Sequence, residues 1–407
     1  MAPPLCPRLD VVAASAAALL GVLLATASAA LAGGGTGGYA RVFSFGDSLT
    51  DTGNALRLPC TGGGGPASRP PYGETFFRRP TGRASDGRLA VDFVVEALRL
   101  PHPAPYLAAA GKTAAGFDHG VNFAVAGSTA LSPEFYAGRG LKPFVPVSLA
   151  NQTIWFHNVV QLLGSSDHDR RKVMASSLFI VGEIGVNDYL VSLVGNLTVG
   201  EVESFVPHIV GAIRSVVNEV IAAGATTVVV PGMIPLGCEP QLLALYQGGA
   251  GSSDAGDYDP RSGCMARLNG LAERHNRELR CAVAELRRAH WGTSTSVVYA
   301  DLYRAVTDIV VSPGRYGFGD MPLEACCGGA GSYNFNVTAF CGASGATACA
   351  DPSVYVSWDG VHFTEAANRH IACAMLKVRP AGAAPPGMAT STTWPAAAEA
   401  GRRRIGC

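Results

Sequence analysis

The sequence lacks an excess of charge of either sign. Its 407 residues include 31 lysines and arginines and 31 aspartates and glutamates, so the formal net charge is zero at pH 7. Nucleic-acid-binding proteins usually carry a basic patch or stripe. The basic runs here, at 170–172 and 402–404, are only three residues long, and the second lies in a Pro/Ala-rich stretch. We therefore expect no nucleic-acid partner.

The sequence also lacks the cysteine spacing of a zinc site. No C-x-x-C pair occurs, and the cysteine cluster at 326–349 contains no histidine, so we expect no metal ion and no cofactor. Ten of the 11 cysteines remain once Cys6 is removed with the leader, and an even number is typical of an exported, disulfide-bonded chain. We expect Cys238 and Cys264 to close one loop, and the cysteines of the cluster to crosslink a second, glycine-rich loop. The spacing does not reveal which cysteines pair with each other.

Beyond residue 32, we expect no stretch that is long and apolar enough to cross a membrane. The leader itself has an Ala/Leu/Val-rich run at 11–24, followed by A-x-A sites at 27–29 and 30–32. This layout predicts a cleaved signal peptide over residues 1–32. An uncleaved signal anchor is the alternative, since about 20 apolar residues can span a bilayer.

Three N-glycosylation sequons agree with export. They begin at Asn151, Asn196 and Asn336. We expect a secreted protein of the cell wall or apoplast, with the Golgi as the alternative location. We expect no stable membrane partner unless the leader is retained.

Short apolar runs bounded by turn residues predict buried strands, at 42–45, 121–125, 178–181, 226–230 and 296–299. Helical patterns lie between them, at 91–98, 202–223 and 264–289. This alternation predicts an α/β fold with a mainly parallel central sheet covered by helices on both faces. We expect one domain over residues 33–379, followed by a Pro/Ala-rich tail over 380–407 that is predicted to be disordered.

The first strand leads into a sharp turn that would suit a nucleophile. Ser48 follows Gly46 and Asp47 in the segment FGDSL at 45–49. A helix is expected next, which would place the Ser48 N–H where a developing oxyanion is stabilised. The same residues would also suit a simple helix cap.

Three later turns carry groups that complement a nucleophile. Gly127 could offer an unobstructed backbone N–H to a ligand, and Asn187 an uncharged NH₂ donor to an oxyanion. Asp359 precedes His362 by three residues, so its carboxylate could hold the Nδ1 proton and leave Nε2 free as a base. Taken singly, each segment is also consistent with an ordinary turn.

Together these segments resemble the GDSL esterase/lipase family, also called SGNH hydrolases, in its large plant-type branch. The resemblance covers residues 41–377. Its blocks are matched by FGDSL at 45–49, NFAVAG at 122–127, GVND at 185–188 and DGVH at 359–362, and PPYGETFF at 70–77 resembles the plant branch.

The resemblance implies a flavodoxin-like SGNH hydrolase fold, a three-layer α/β/α sandwich. It implies that Ser48 is the nucleophile, His362 the general base and then acid, and Asp359 the carboxylate that orients the histidine. The backbone N–H groups of Ser48 and Gly127 and the side chain of Asn187 would form the oxyanion hole. The implied activity is hydrolysis of acyl esters through an acyl-enzyme, with no metal or cofactor.

The substrate is less defined than the chemistry. An acetylated wall polysaccharide such as xylan is the preferred substrate, because no extended apolar lid is evident for a lipid; a phenolic or lipid ester is the alternative. The same acyl-enzyme could instead pass its acyl group to an alcohol, as an acyltransferase. A non-catalytic glycan-binding or structural wall protein is a third hypothesis, against which the intact motifs argue. The insertion at 248–259 and the tail would affect partners and substrate access, not the chemistry.

Overall fold

The computed structural model describes residues 38–61, 65–109, 113–247, 257–377 and 393–407. The predicted leader at 1–32 lies outside the described residues, and so does most of the insertion at 248–259.

Six parallel strands form the central sheet. Their bounds are β1 (Arg41–Phe45), β2 (Ala104–Pro105), β3 (Gly120–Asn122), β4 (Ser177–Val181), β5 (Thr227–Pro231) and β6 (Ser296–Ala300). The order across the sheet is β2-β3-β1-β4-β5-β6, with every neighbouring pair parallel. Without the two-residue edge strand β2, this is the 2-1-3-4-5 order of a flavodoxin-like sheet, so the predicted fold class is confirmed.

The helices connect these strands and cover the sheet. They are α1 (Ala90–Ala97), α2 (Pro133–Ala137), α3 (Leu149–Leu162), α4 (Asp167–Ala175), α5 (Val186–Val194), α6 (Val199–Glu203), α7 (Val206–Ala223), α8 (Pro240–Tyr246), α9 (Ala266–Ala289), α10 (Leu302–Val311), α11 (Glu365–Leu376) and α12 (Thr393–Arg404). One group packs α1, α10, α11 and α12 together, and another packs α3, α7 and α9 together. Every residue of β4 and β5 is buried, as expected for strands covered on both faces.

Two local predictions differ from the structure. The strand predicted over 121–125 ends at Asn122, although the N–H groups of Phe123 and Val125 still donate to the carbonyls of Ser44 and Gly46. Between them, the N–H and carbonyl of Ala124 bond to the side chains of Asn122 and Asn54. The helix predicted over 202–223 is split into α6 and α7, with Pro207 in the first turn of α7. Proline has no N–H to continue a helix but suits a helix start.

The segment Val199–Ala223 is the one stretch within the described residues that is long and apolar enough, by composition, to cross a membrane. We expected no such segment after residue 32. In the fold, its apolar side chains at Val206, Ile209, Ile213 and Val220 are buried in the core. The apolar side chains of this segment therefore pack in the core against the sheet.

The C-terminal segment is ordered where the sequence predicted disorder. Residues 393–404 form α12, which contacts α1 and α11, and a Cys373–Cys407 disulfide ties its end to α11. Ala397 and Ala398 are buried there. The prediction of a disordered tail is therefore wrong for residues 393–407, because an alanine-rich segment can pack closely on a neighbouring helix; residues 380–392 lie outside the described part of the chain.

Disulfides close the loops that the cysteine spacing indicated. Cys238 is bonded to Cys264, as predicted. In the cluster, Cys326 pairs with Cys349 and Cys327 with Cys341. The last two pairs close the segment that includes the short antiparallel strands β7 (Cys327–Gly328) and β8 (Thr347–Ala348).

Candidate active site

The turn after β1 holds Ser48 at the carboxyl end of the sheet. Gly46 has φ +152°, and a Cβ there would lie 2.8 Å from the Glu183 carbonyl oxygen, so only glycine fits. The Gln152 side chain fixes this glycine from both sides: it donates to the Gly46 carbonyl at 2.8 Å and accepts from the Gly46 N–H at 3.0 Å. Ser48 itself is partly exposed.

A single hydrogen-bonded turn, rather than the expected helix, follows Ser48. The N–H groups of Thr50 and Asp51 donate to the Asp47 carbonyl, and the Leu49 N–H donates to Asp47 Oδ1 at 3.1 Å. The turn ends at Asp51. Its buried carboxylate accepts from the N–H groups of Gly53 and Asn54, and the chain leaves the helical path there. In place of the expected helix, Ser48 is therefore followed by one turn that Asp47 caps.

Asp51 also connects this turn to the loop that carries Gly127. Its Oδ2 accepts from the Ala126 N–H at 2.9 Å. Gly127 follows with φ +82°, in the left-handed region that favours glycine, and the hydroxyl of Ser128 donates to the Gly46 carbonyl at 3.0 Å. The predicted oxyanion glycine thus lies on a loop bonded directly to the Ser48 turn.

Asn187 lies in the first turn of α5, the helix that follows β4 in the chain. Its Nδ2 donates to the Ser128 carbonyl at 3.0 Å and to Asp47 Oδ2 at 3.2 Å. The structure therefore brings Asn187 together with the residue before Ser48 and the residue after Gly127. This junction lies between β1 and β4, where the strand order reverses and ligands bind in such sheets.

Asp359 and His362 form a hydrogen-bonded pair within one loop. Asp359 Oδ2 accepts from His362 Nδ1 at 2.7 Å, and Oδ1 accepts from the backbone N–H groups of Val361 and His362. Burial alone would raise the pKa of Asp359, but the neighbouring His362 and these hydrogen bonds hold it below its usual value. Burial would likewise lower the pKa of His362, but the Asp359 charge raises it.

The buried phenol of Tyr72 also contacts Asp359. Its hydroxyl donates to Asp359 Oδ2 at 2.7 Å, the same oxygen that accepts from His362. This contact was not predicted. Tyr72 lies in the segment at 70–77 that resembles the plant branch. It is 287 residues from Asp359 in sequence, so no local sequence pattern could predict the contact.

Further buried carboxyl groups surround the site. Burial raises the pKa of Asp47 to about 7 and raises that of Glu183 and Glu239 well above the usual value. The carboxyl oxygens of both glutamates have no hydrogen-bond partner among the described residues. Asp47 interacts electrostatically with His362, which links the residue beside Ser48 to the histidine loop.

Arginine side chains fix the surrounding loops. Arg83 makes a two-pronged ion pair with Asp92 of α1, and Arg88 contacts Glu96 and Glu365. Glu365 begins α11, three residues after His362. No group of three or more His, Cys, Asp or Glu side chains within the described part of the chain could hold a metal ion.

Comparison with known proteins identifies the family. A family model described as GDSL-like lipase/acylhydrolase matches residues 42–375. GDSL esterase/lipase At1g28600 of Arabidopsis thaliana is 42% identical over 83% of this chain and 84% of its own length. Sinapine esterase of Brassica napus is 39% identical over 83% of this chain and 85% of its own length. The chain therefore belongs to the GDSL-like lipase/acylhydrolase family, whose members are serine ester hydrolases.

Proposed function

We propose that the chain cleaves acyl esters in two steps, with Ser48 as nucleophile, His362 as general base and then acid, and Asp359 as its orienting carboxylate. The observation that carries this proposal is the 2.7 Å contact between Asp359 Oδ2 and His362 Nδ1. With the Nδ1 proton held in this way, Nε2 is the nitrogen left to take the proton of Ser48. The alcohol then leaves, and water activated by His362 hydrolyses the acyl-enzyme.

The proposed oxyanion hole consists of the N–H groups of Ser48 and Gly127 and the Asn187 side chain. Both hydrogens of the Asn187 NH₂ group are engaged in the resting structure, one with Ser128 and one with Asp47. The bond to Asp47 is the longer, so it is the one that a tetrahedral intermediate would replace. The raised pKa of Asp47, which favours its neutral form, reduces the repulsion that the new oxyanion would meet.

For the substrate, an ester that carries a ring is favoured by the surface beside Gly127. The Cβ of Phe144 lies 3.3 Å from the position that a Cβ at Gly127 would occupy, and Phe144 is 54% exposed. An exposed aromatic side chain offers a stacking surface to a flat or apolar ring face. Both an acetylated polysaccharide such as xylan and a phenolic ester present such a ring.

The phenolic ester has separate support from the relatives. The Brassica napus relative is named sinapine esterase, and the likeness spans most of both chains. A polysaccharide deacetylase remains the first candidate from the sequence, and a phenolic-ester esterase is the second. Acyl transfer to an alcohol instead of water would use the same acyl-enzyme. Export is proposed from the leader, and the four disulfides agree with an oxidising compartment.

A substrate panel tests these proposals together. Purified protein is given p-nitrophenyl acetate, a long-chain p-nitrophenyl ester, acetylated xylan and a sinapoyl ester, with and without a sugar or glycerol acceptor. Acyl preference separates the substrate classes, and new acylated acceptor would indicate transfer. Ser48→Ala should abolish turnover and labelling by a fluorophosphonate, whereas Ser165→Ala, at an exposed site, should leave both intact. Persistent labelling of Ser48→Ala would refute the proposed nucleophile.

A further inference from the structure

We propose that Tyr72 is a positioning residue that acts on His362 through Asp359 and so sets the pH at which the histidine becomes a base. This inference rests on the function proposed for His362. It concerns a residue to which the resemblance assigns no catalytic or oxyanion-hole role, although the residue lies in the segment at 70–77 that resembles the plant branch.

The Asp359 carboxylate accepts four hydrogen bonds. Oδ1 accepts from the N–H groups of Val361 and His362, at 3.0 and 2.8 Å. Oδ2 accepts from His362 Nδ1 and from the Tyr72 hydroxyl, both at 2.7 Å. A carboxylate has about four acceptor positions, so all of them are used. Tyr72 and His362 therefore share the charge of one oxygen.

The position of the Tyr72 ring is fixed by its surroundings. Tyr72 is 1% exposed and lies edge-on to Trp358, with ring centroids 5.9 Å apart. Trp358 directly precedes Asp359, and its carbonyl accepts from the N–H of Cys327 in the disulfide-bonded segment. The Tyr72 hydroxyl therefore meets Asp359 at a position determined by core packing.

The phenol can only donate in this contact. Burial and the neighbouring Asp359 charge raise the pKa of Tyr72 well above its usual value, so the hydroxyl keeps its proton. Its bond draws part of the Oδ2 charge away from His362. The other charged or titratable groups that act on these three residues are Arg69, Asp47 and Glu239, and none of them forms a hydrogen bond to Asp359.

Replacing Tyr72 by phenylalanine keeps the ring but removes this donor. The Asp359 charge would then act more fully on His362 and stabilise its protonated form. The histidine would hold its proton to a higher pH. We expect the acidic limb of the kcat/KM profile to move up by about half a pH unit. A hydrogen bond to a charged group corresponds to about one to two pH units, and only part of that effect passes through Asp359 to the histidine.

Tyr136→Phe is the matched control. Tyr136 is also a buried tyrosine whose hydroxyl donates to a buried aspartate, Asp188, but this aspartate has no histidine partner among its hydrogen bonds. Its removal should lower stability without moving the acidic limb. A role of Tyr72 in stability alone would predict the same result for both variants.

The test measures kcat/KM for p-nitrophenyl acetate from pH 5 to 9 in the wild type, Tyr72→Phe and Tyr136→Phe. On the acidic limb, Tyr72→Phe should be about threefold slower than the wild type at the same pH, which corresponds to half a unit. An unshifted limb, or an equal shift in Tyr136→Phe, would overturn the inference.

A second readout does not depend on turnover. In a Ser48→Ala background, NMR titration of the His362 ring should give a higher pKa when Tyr72 is also replaced by phenylalanine. An unchanged His362 pKa would overturn the positioning role even in an active enzyme. If the wild type hydrolyses no ester but this shift is present, the proposed function fails while the Tyr72 inference stands.

Discussion

At the residue scale, Asn187 is the side chain that joins the parts of the site. One hydrogen of its NH₂ group holds the loop after β3 through the Ser128 carbonyl, and the other contacts Asp47 beside Ser48. An amide is suited to this position because it can donate without carrying charge. The contribution of Asn187 to turnover can be measured by replacing its side chain and following kcat and KM.

We predict that Asn187→Ala lowers kcat about 10²- to 10³-fold with little change in KM, because one oxyanion donor is lost. Asn187→Asp retains the side-chain volume but also lacks the donor, and it adds a carboxylate beside Asp47, so its kcat should fall at least as far. Steady-state kinetics with p-nitrophenyl acetate measure both. Turnover near the wild-type value in Asn187→Ala would remove Asn187 from the oxyanion hole.

At the element scale, the first turn of α5 holds the loop after β3 in place. Asp188 Oδ2 accepts from the Ala130 N–H at 2.8 Å, and Oδ1 accepts from the Leu131 N–H and the Tyr136 hydroxyl. This side chain is buried, so these bonds are shielded from water. Asp188 thereby fixes the loop that carries Gly127.

We predict that Asp188→Asn lowers the free energy of unfolding by about 2 kcal/mol, because one acceptor oxygen becomes a donor that faces N–H groups. Turnover should also fall, since Gly127 is less well fixed. Urea unfolding and steady-state kinetics measure the two effects. Asp167→Asn, at an exposed position in α4, is the control and should change neither. Unaltered stability in Asp188→Asn would contradict this role.

The elements also show what the sequence could predict. The strands were found because a short apolar run between turn residues is a local pattern, and the Asp359–His362 pair because its members are three residues apart. The contacts of Tyr72, Asp51 and Gln152 join segments far apart in sequence, so no spacing indicates them. The order in 393–407 was missed for the same reason: it depends on packing against α1 and on a distant cysteine.

At the scale of the whole molecule, the fold encloses several carboxyl groups that are costly to ionise. Burial raises the folded-state pKa of Glu183 and Glu239 well above the usual value, and that of Asp47 to about 7. The folded protein therefore holds protons that the unfolded chain releases above about pH 4 to 5. The free energy of unfolding therefore falls as the pH rises from the unfolded-state pKa values to the higher folded-state values. His275 acts in the opposite direction below about pH 6.5, because burial lowers its pKa to about 3.

We predict that the urea midpoint decreases from pH 5.5 to pH 7.5 in the wild type and decreases less in Glu239→Gln. Glutamine imitates the neutral acid, so it should raise the free energy of unfolding at pH 7.5 by more than about 1 kcal/mol. Glu285→Gln, at an exposed position, should retain the wild-type slope. A Glu239→Gln slope equal to that of the wild type would show that Glu239 ionises freely in the fold.

We also predict that the proposed glycans differ in occupancy. Asn196 is exposed in the turn after α5. The Asn151 side chain instead accepts from Ser148 at the start of α3, and Asn336 Nδ2 donates to the Ala330 carbonyl. Protein from a secretory host should therefore carry most glycan at Asn196, which mass spectrometry before and after enzymatic deglycosylation can measure. Higher occupancy at Asn151 would contradict this prediction.

The cystine-bonded segment lies directly behind the histidine loop. The N–H groups of Cys326 and Cys327 donate to the carbonyls of Ser357 and Trp358, immediately before Asp359. Reduction of these crosslinks would loosen the backbone that carries His362, although no cysteine is among the proposed catalytic residues. Protein made in a reducing cytosol should therefore lose esterase activity before it loses solubility. Production of active enzyme would then require a cell compartment that keeps these cysteines oxidised.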